Sequence, residues 1–111
     1  MVTRKAVRRG EVWLVGLDPT VGREIRKTRP CLIVSPDSMN RFLSTVTALP
    51  LTSGSQPAGF RVPVDFNNTN GLLLADQLRT LDRSRLIKRL GTLDEGTVET
   101  ALAVLRDMFE P

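Results

Sequence analysis

Three side chains in this sequence have the types that phosphodiester chemistry asks for: Glu24, Arg29 and Thr52. Cutting a phosphodiester by attack of a neighbouring hydroxyl takes three operations. A proton must leave the attacking hydroxyl, extra negative charge on the phosphorane must be stabilised, and the departing oxygen must be protonated. Glu24 and Arg29 stand five residues apart in one segment and could face a single phosphate from two sides. Pro30 biases Arg29 toward extended backbone at the start of a strand, which gives the long side chain a fixed origin. Thr52 ends an apolar run and offers a hydroxyl to a non-bridging oxygen. Each residue alone is ordinary, because a glutamate among arginines is commonly a solvated ion-pair partner and a threonine after a strand is commonly a turn residue.

What is missing narrows the chemistry. The chain contains no histidine, which removes Ser-His-Asp triads, paired-histidine nuclease chemistry and histidine-ligated metals. Asp65, Asp76 and Asp82 sit in separate elements without ligand-like spacing, so neither a metal nor another cofactor is expected. Tyrosine is absent and Trp13 is single, which leaves base stacking to few aromatics or to arginine planes. The lone Cys31 cannot form an internal disulfide, and a cytoplasmic location is the expectation. No apolar run approaches the roughly 20 residues of a membrane span, and the basic opening, residues 1–10, lacks the apolar centre of a signal peptide.

The net charge of +4 and pI of about 10.2 favour a polyanion partner. The positive charge is clustered: Arg4, Lys5, Arg8 and Arg9; then Arg23, Arg26, Lys27 and Arg29; then Arg79, Arg83, Arg85, Lys88 and Arg89. Such clusters suit phosphate tracking, although they do not name the polyanion.

The elements that must position these groups read as mainly β with minor α, in a single domain spanning residues 1–111. Short apolar or alternating runs at 12–17, 30–35, 44–49, 60–66 and 72–80 are predicted strands. Pro63 marks the fourth as an edge or bulged strand, and Asn70-Gly71 signals a turn. Asp82 is expected to cap one turn before a short strand at 87–90. Thr92-Leu93-Asp94-Glu95 reads as a capping box for a final helix, whose stripe Val98, Ala101, Leu102, Leu105 and Phe109 has core spacing. The aperiodic segment 18–29 is long for so small a domain and is expected to be a functional loop.

Arg9-Gly10-Glu11-Val12-Trp13 and Asp18-Pro19-Thr20-Val21-Gly22 resemble the opening of the MazF/PemK toxins. The similarity continues in order through Gly22-Arg23-Glu24, Lys27-Thr28-Arg29-Pro30, Ser35-Pro36, Asn40, Leu49-Pro50-Leu51-Thr52, residues 75–82 and Leu90-Gly91-Thr92-Leu93. The resemblance implies a small SH3-like curled antiparallel barrel with short helices and a C-terminal amphipathic helix, assembled as a homodimer. It implies sequence-specific, metal-independent cleavage of single-stranded RNA to a 2′,3′-cyclic phosphate, and inhibition by a cognate antitoxin with an acidic disordered segment. It carries the catalytic positions onto Arg29, Thr52 and Glu24. Arg23, Arg26, Lys27, Asn40, Arg41, Gln56, Arg61 and Gln77 are the RNA-binding candidates, Gln77 being equally readable as a sheet-face hydrogen-bonding residue. Trp13 is expected in the core or at a subunit interface. Two other functions compete: a gyrase-inhibiting toxin of the same fold, and a non-catalytic basic RNA-binding barrel. Neither needs Arg29 and Thr52 together.

Overall fold

The computed structural model describes residues 5–111, so Arg4 of the basic opening lies outside the described residues. Seven strands and two helices follow in the order β1 (Glu11–Gly16), β2 (Thr28–Ile33), α1 (Asp37–Phe42), β3 (Thr45–Thr52), β4 (Arg61–Phe66), β5 (Thr69–Leu74), β6 (Arg79–Asp82), β7 (Leu86–Thr92) and α2 (Glu95–Phe109). Three-residue 3-10 turns at Ala75–Gln77 and Arg83–Arg85 link β5 to β6 and β6 to β7. All pairings are antiparallel, in the order β4-β5-β3-β2-β1-β7, with β6 also on β3. Pro63 accordingly lies in a strand at one end of the order, where its missing N–H breaks no inner ladder.

Strands β1 to β3 are buried on both faces, which is why they read as nearly continuous apolar runs. Trp13, Val15, Cys31, Ile33, Val46 and Ala48 enter one core cluster. Val12, Leu32, Leu49, Leu51, Val62 and Leu73 enter the other, which α2 covers with Val98, Ala101, Leu102 and Leu105. Phe109, predicted to join that stripe, is instead 72% exposed at the helix end. The Arg-Gly-Glu-Val-Trp opening has a structural reason. Glu11 is buried, and its carboxylate accepts from Trp13 Nε1 (3.1 Å), the Arg8 backbone N–H (2.8 Å) and Arg89 Nε (2.9 Å). Trp13 is therefore a core residue of this chain.

Several expected boundaries shift. The run 72–80 is two strands, because β5 and β6 take successive stretches of one edge of β3 and the 3-10 turn carries the chain between them. The β4–β5 turn lies at Asn67-Asn68 (φ 50° and 61°), not at Asn70-Gly71. Two consecutive positive φ values are what a tight hairpin turn needs, and asparagine tolerates them. Gly71 sits within β5, where a Cβ would come within 3.1 Å of Leu51 Cδ1 and 3.2 Å of the Thr52 carbonyl oxygen. Helix α1 was absent from the sequence-based assignment, since six residues are too few for a 3.6-residue period to emerge. Its polarity was nevertheless present, with Pro36 before it, Asp37 in the first turn and Arg41 in the last.

Asp82 accepts from the Ser84 backbone N–H, as expected of a cap. The cap of α2 is Asp94 rather than Thr92, because Thr92 is still paired with Glu11 at the end of β7. The Asp94 carboxylate accepts from Thr97 Oγ1 (2.7 Å) and the Thr97 N–H (3.0 Å), which hold its pKa below the ordinary carboxylate value. A depressed folded-state pKa stabilises the fold above the unfolded value, near 3.9, and the contribution disappears as pH falls through the folded value. Asp94→Ala is therefore expected to lower the thermal midpoint at pH 7, with the deficit shrinking below about pH 4. Thermal melts across pH 2.5–7 check this; a deficit unchanged at the acid end contradicts it.

Burial pushes the Cys31 thiol up to about 12, partly opposed by Arg79. The native protein is expected to resist iodoacetamide at pH 8 and to gain one adduct when unfolded, read by intact mass. Rapid native labelling would show that β2 opens readily.

Candidate active site

The paired strands β2 and β3 bring Arg29 and Thr52 together. Their register runs Ile33 with Ala48, Leu32 with Leu49 and Cys31 with Pro50. Two residues beyond the last of these pairs stand Arg29 on β2 and Thr52 on β3, so the pairing draws together two positions with 22 residues between them. Both residues line a pocket of about 250 Å³, walled by Pro30, Leu51, Phe66 and Leu90.

Each side chain of the pair is prepared to bind an anion. Thr52 is 8% exposed, and its hydroxyl oxygen accepts from the Gly54 N–H at 3.2 Å. That bond orients the hydroxyl and leaves its own hydrogen available to donate. Arg29 Nε is buried and has no hydrogen-bond partner among the described residues. An unsatisfied buried donor destabilises a fold by roughly 1–3 kcal/mol, and an incoming oxygen would relieve it. A guanidinium and a hydroxyl on residues lining one pocket are the donor types that a tetrahedral oxyanion such as a phosphodiester accepts from.

The loop of residues 17–27 is fastened at several points. Gln77 Oε1 accepts from the Ile25 N–H at 2.7 Å, and Gln77 Nε2 reaches the Arg23 carbonyl at 3.5 Å. Arg85 donates to the carbonyls of Gly16 and Asp18, and Ile25 packs on the core. Gln77 is thus committed to holding the loop, a role closer to the structural alternative than to base reading. Glu24 closes a local turn, accepting from the Val21 N–H at 2.6 Å, and it does not line the Arg29–Thr52 pocket. The expected grouping of three catalytic residues is therefore a pair, with the glutamate displaced into the loop beside it.

The other candidates divide. Arg23, Arg26 and Lys27 are exposed on the loop. Asn40 is only 2% exposed, with its amide bonded to the Ser35 carbonyl (2.9 Å) and accepting from the Ser35 hydroxyl (2.6 Å), so it is not presented to a base. Arg61 is held by Asp76 through two bonds of 3.2 and 3.1 Å and donates to the Gln56 carbonyl at 2.8 Å. Its guanidinium is thereby largely occupied. Arg41 is exposed on α1 and lines a different pocket. Missing from the sequence-based set were Ser53, Phe66, Asn67 and Thr69, which line the Arg29–Thr52 pocket. Only the Asn67-Asn68 pair carried a signal, and it was obscured by the stronger turn signature at Asn70-Gly71. Among the described residues, no group of three or more Cys, Asp or Glu side chains is arranged to hold a metal ion.

Residues 8–109 match the family model described as PemK-like, MazF-like toxin of type II toxin–antitoxin system. The chain belongs to that family. It is 42% identical over 112 residues to the endoribonuclease PemK of Escherichia coli, covering 95% of this chain and 84% of PemK. It is 36% identical to the endoribonuclease toxin ChpB of Escherichia coli K12, covering 99% of this chain and all of ChpB. The solved MazF of Deinococcus radiodurans superposes with a TM-score of 0.84 at 26% identity, covering 94% of this chain and 96% of that one. A mycobacterial endoribonuclease solved with its cognate antitoxin superposes with a TM-score of 0.74 at 26% identity, covering 92% and 91%. The small antiparallel sheet with two helices is thus the toxin fold that the sequence motifs implied.

Proposed function

We propose that this chain is a sequence-specific endoribonuclease that cleaves single-stranded RNA without a metal ion, acting as the growth-inhibiting toxin of a toxin–antitoxin pair in the cytoplasm. The observation that carries this reading is the Arg29–Thr52 pair in one pocket, with a buried guanidinium nitrogen awaiting an acceptor. The 2′-hydroxyl of the nucleotide before the cut attacks its own phosphate, the 5′-oxygen leaves, and a 2′,3′-cyclic phosphate remains. Arg29 grips the non-bridging oxygens through its planar fork, and Thr52 donates to one of them as charge grows there. Arg29 serves as a clamp, because its planar guanidinium presents parallel donors that match two phosphate oxygens. Glu24, tied into its turn, assists strand binding from the loop, where Arg23, Arg26 and Lys27 follow the phosphates. The absence of histidine and of a carboxylate cluster among the described residues supports the metal-free route.

The active form is a homodimer, inhibited by an antitoxin whose acidic disordered segment covers the basic RNA site. The solved mycobacterial relative with its antitoxin supports the second part, and the exposed Phe42 and Phe109 supply apolar surface for assembly.

Primer-extension mapping on a long mixed-sequence RNA with excess EDTA tests activity, specificity and metal independence together. Cuts recurring at one short sequence, each leaving a cyclic phosphate, are expected. Uncut RNA, or cutting that chelator abolishes and magnesium or manganese restores, would overturn the proposal.

A further inference from the structure

We infer that a second pocket, formed by the N-terminal segment, α1 and the 3-10 turn at Arg83–Arg85, is a phosphate site that holds a flanking stretch of the RNA strand. This rests on the RNA-cleaving reading above; it extends that reading to Lys5, Arg8 and Arg83 and gives Arg41, already an RNA-binding candidate, a place in a defined pocket. The pocket has a volume of about 390 Å³ and is lined by Lys5, Arg8, Arg41 and Arg83 against a single carboxylate, Asp37. Four basic residues and one acidic residue therefore line one cavity.

The framework of the pocket is well fastened. Arg83 Nε donates to the Leu43 carbonyl (3.0 Å) and Nη1 to the Lys5 carbonyl (2.9 Å), tying the N-terminal segment to the end of α1. Lys5 Nζ donates to the Leu86 carbonyl and stands 5.8 Å from the Trp13 ring. One oxygen of Asp37 accepts from the Arg9 N–H at 2.8 Å, which weakens its competition for the cations. The guanidinium groups of Arg8 and Arg41, by contrast, are exposed and donate to no described residue. Two unspent planar forks beside two anchored cations match the oxygens of phosphate. An acidic peptide is the poorer fit, since Ala6 and Val7 are the only apolar residues of the lining and Val7 is buried, leaving little to anchor a side chain.

Position makes the site one for a strand rather than for a lone nucleotide. Arg29 is near the start of β2, whereas the pocket lies past its end, beside the first residues of α1. At roughly 3.3 Å per extended residue, the two sites are on the order of 20 Å apart. That separation matches about six stacked nucleotides at ~3.4 Å each. Only an oligonucleotide of that length or more can occupy both.

The test compares mixed-sequence 2′-O-methyl oligoribonucleotides of 4 and 14 nucleotides, which cannot be cut, for binding to the parent and to Arg8→Gln/Arg41→Gln. Each phosphate contact in a single strand contributes about 0.7 to the slope of log K against log salt. The double variant should flatten that slope by about 1.4 for the 14-mer. The same relation predicts about 25-fold weaker binding at 0.1 M salt, a difference that vanishes near 1 M. The 4-mer should bind both proteins within about twofold. Circular dichroism and the thermal midpoint establish that the variant is folded, and Arg8→Glu, with reversed charge, should weaken the 14-mer further. An unchanged 14-mer slope overturns the site, as does an equal loss for both lengths. Binding of a glutamate decapeptide that the variant loses, without competition by the 14-mer, would reassign the pocket to a protein partner and also overturn it. Failure of the nuclease reading is distinguishable: the parent then leaves cleavable RNA intact, whatever the binding slopes show.

Discussion

Arg29→Ala is expected to slow RNA cleavage by at least about 10²–10³-fold, equivalent to ~2.7–4 kcal/mol of lost transition-state stabilisation. The size follows from what the side chain would do: a permanently charged fork held against the phosphate, acting most strongly when the phosphorane carries extra charge. Turnover should fall more than affinity, because Arg23, Arg26 and Lys27 still hold the backbone from the loop. Arg29→Lys should recover only part of the rate, since an ammonium restores charge without two parallel donors. The structure adds a stability readout. Arg29 Nε is buried and has no partner among the described residues, so Arg29→Met removes an unsatisfied donor while keeping much of the side chain's bulk. That variant should keep or raise the thermal midpoint while losing cleavage, the usual opposition between a strained site and a stable one. Single-turnover cleavage and thermal melts decide the matter. An Arg29→Ala protein that cuts within a few-fold of the parent would mean the phosphate is held elsewhere.

Thr52→Val should lower the cleavage rate by about 10²-fold, whereas Thr52→Ser should stay within a few-fold of the parent. Valine keeps the shape of threonine but removes the hydroxyl, which accepts from the Gly54 N–H and has its own hydrogen to offer a phosphate oxygen. Serine keeps both functions and gives up only a methyl group. Because Gly54 loses its acceptor in Thr52→Val, part of the loss could come from movement of the Ser53-Gly54 segment, and Ser53 also lines the pocket. Double-mutant cycles with Arg29→Ala separate the two sources: a shared phosphate makes the two losses strongly non-additive, and loop movement alone leaves them nearly additive. Thr52→Val cutting as fast as the parent would show that the hydroxyl takes no part.

How much of this was legible in the sequence depended on how local each feature is. The family, the strand-rich class and the terminal helix all rest on short-range signals: ordered motifs, apolar runs between Gly, Pro and Asn, and a stripe at helical spacing. Arg29 and Thr52 were nameable for the same reason, each belonging to a short motif. The absence of histidine alone set which acid–base chemistry could not occur. Composition also marked the N-terminal basic cluster as suited to phosphate tracking, without indicating which of its residues share a pocket.

Tertiary structure decided which of the named residues share a site. Residue type states what a side chain can donate, and strand register states where it donates. Arg29 and Thr52 meet only because β2 and β3 pair with one particular register, and Glu24 is left out because its carboxylate closes a turn of its own. Asn40, Arg61 and Gln77 have the same amide and guanidinium groups that read nucleic acids, yet the fold spends them on Ser35, Asp76 and the loop backbone. Arg8 and Arg41 lie 33 residues apart and become neighbours around one cavity, and no pattern along the chain announces that. The physical reason is common to all these cases. Hydrogen-bonding capacity belongs to the residue, but whether it remains available depends on partners brought close by contacts distant in sequence.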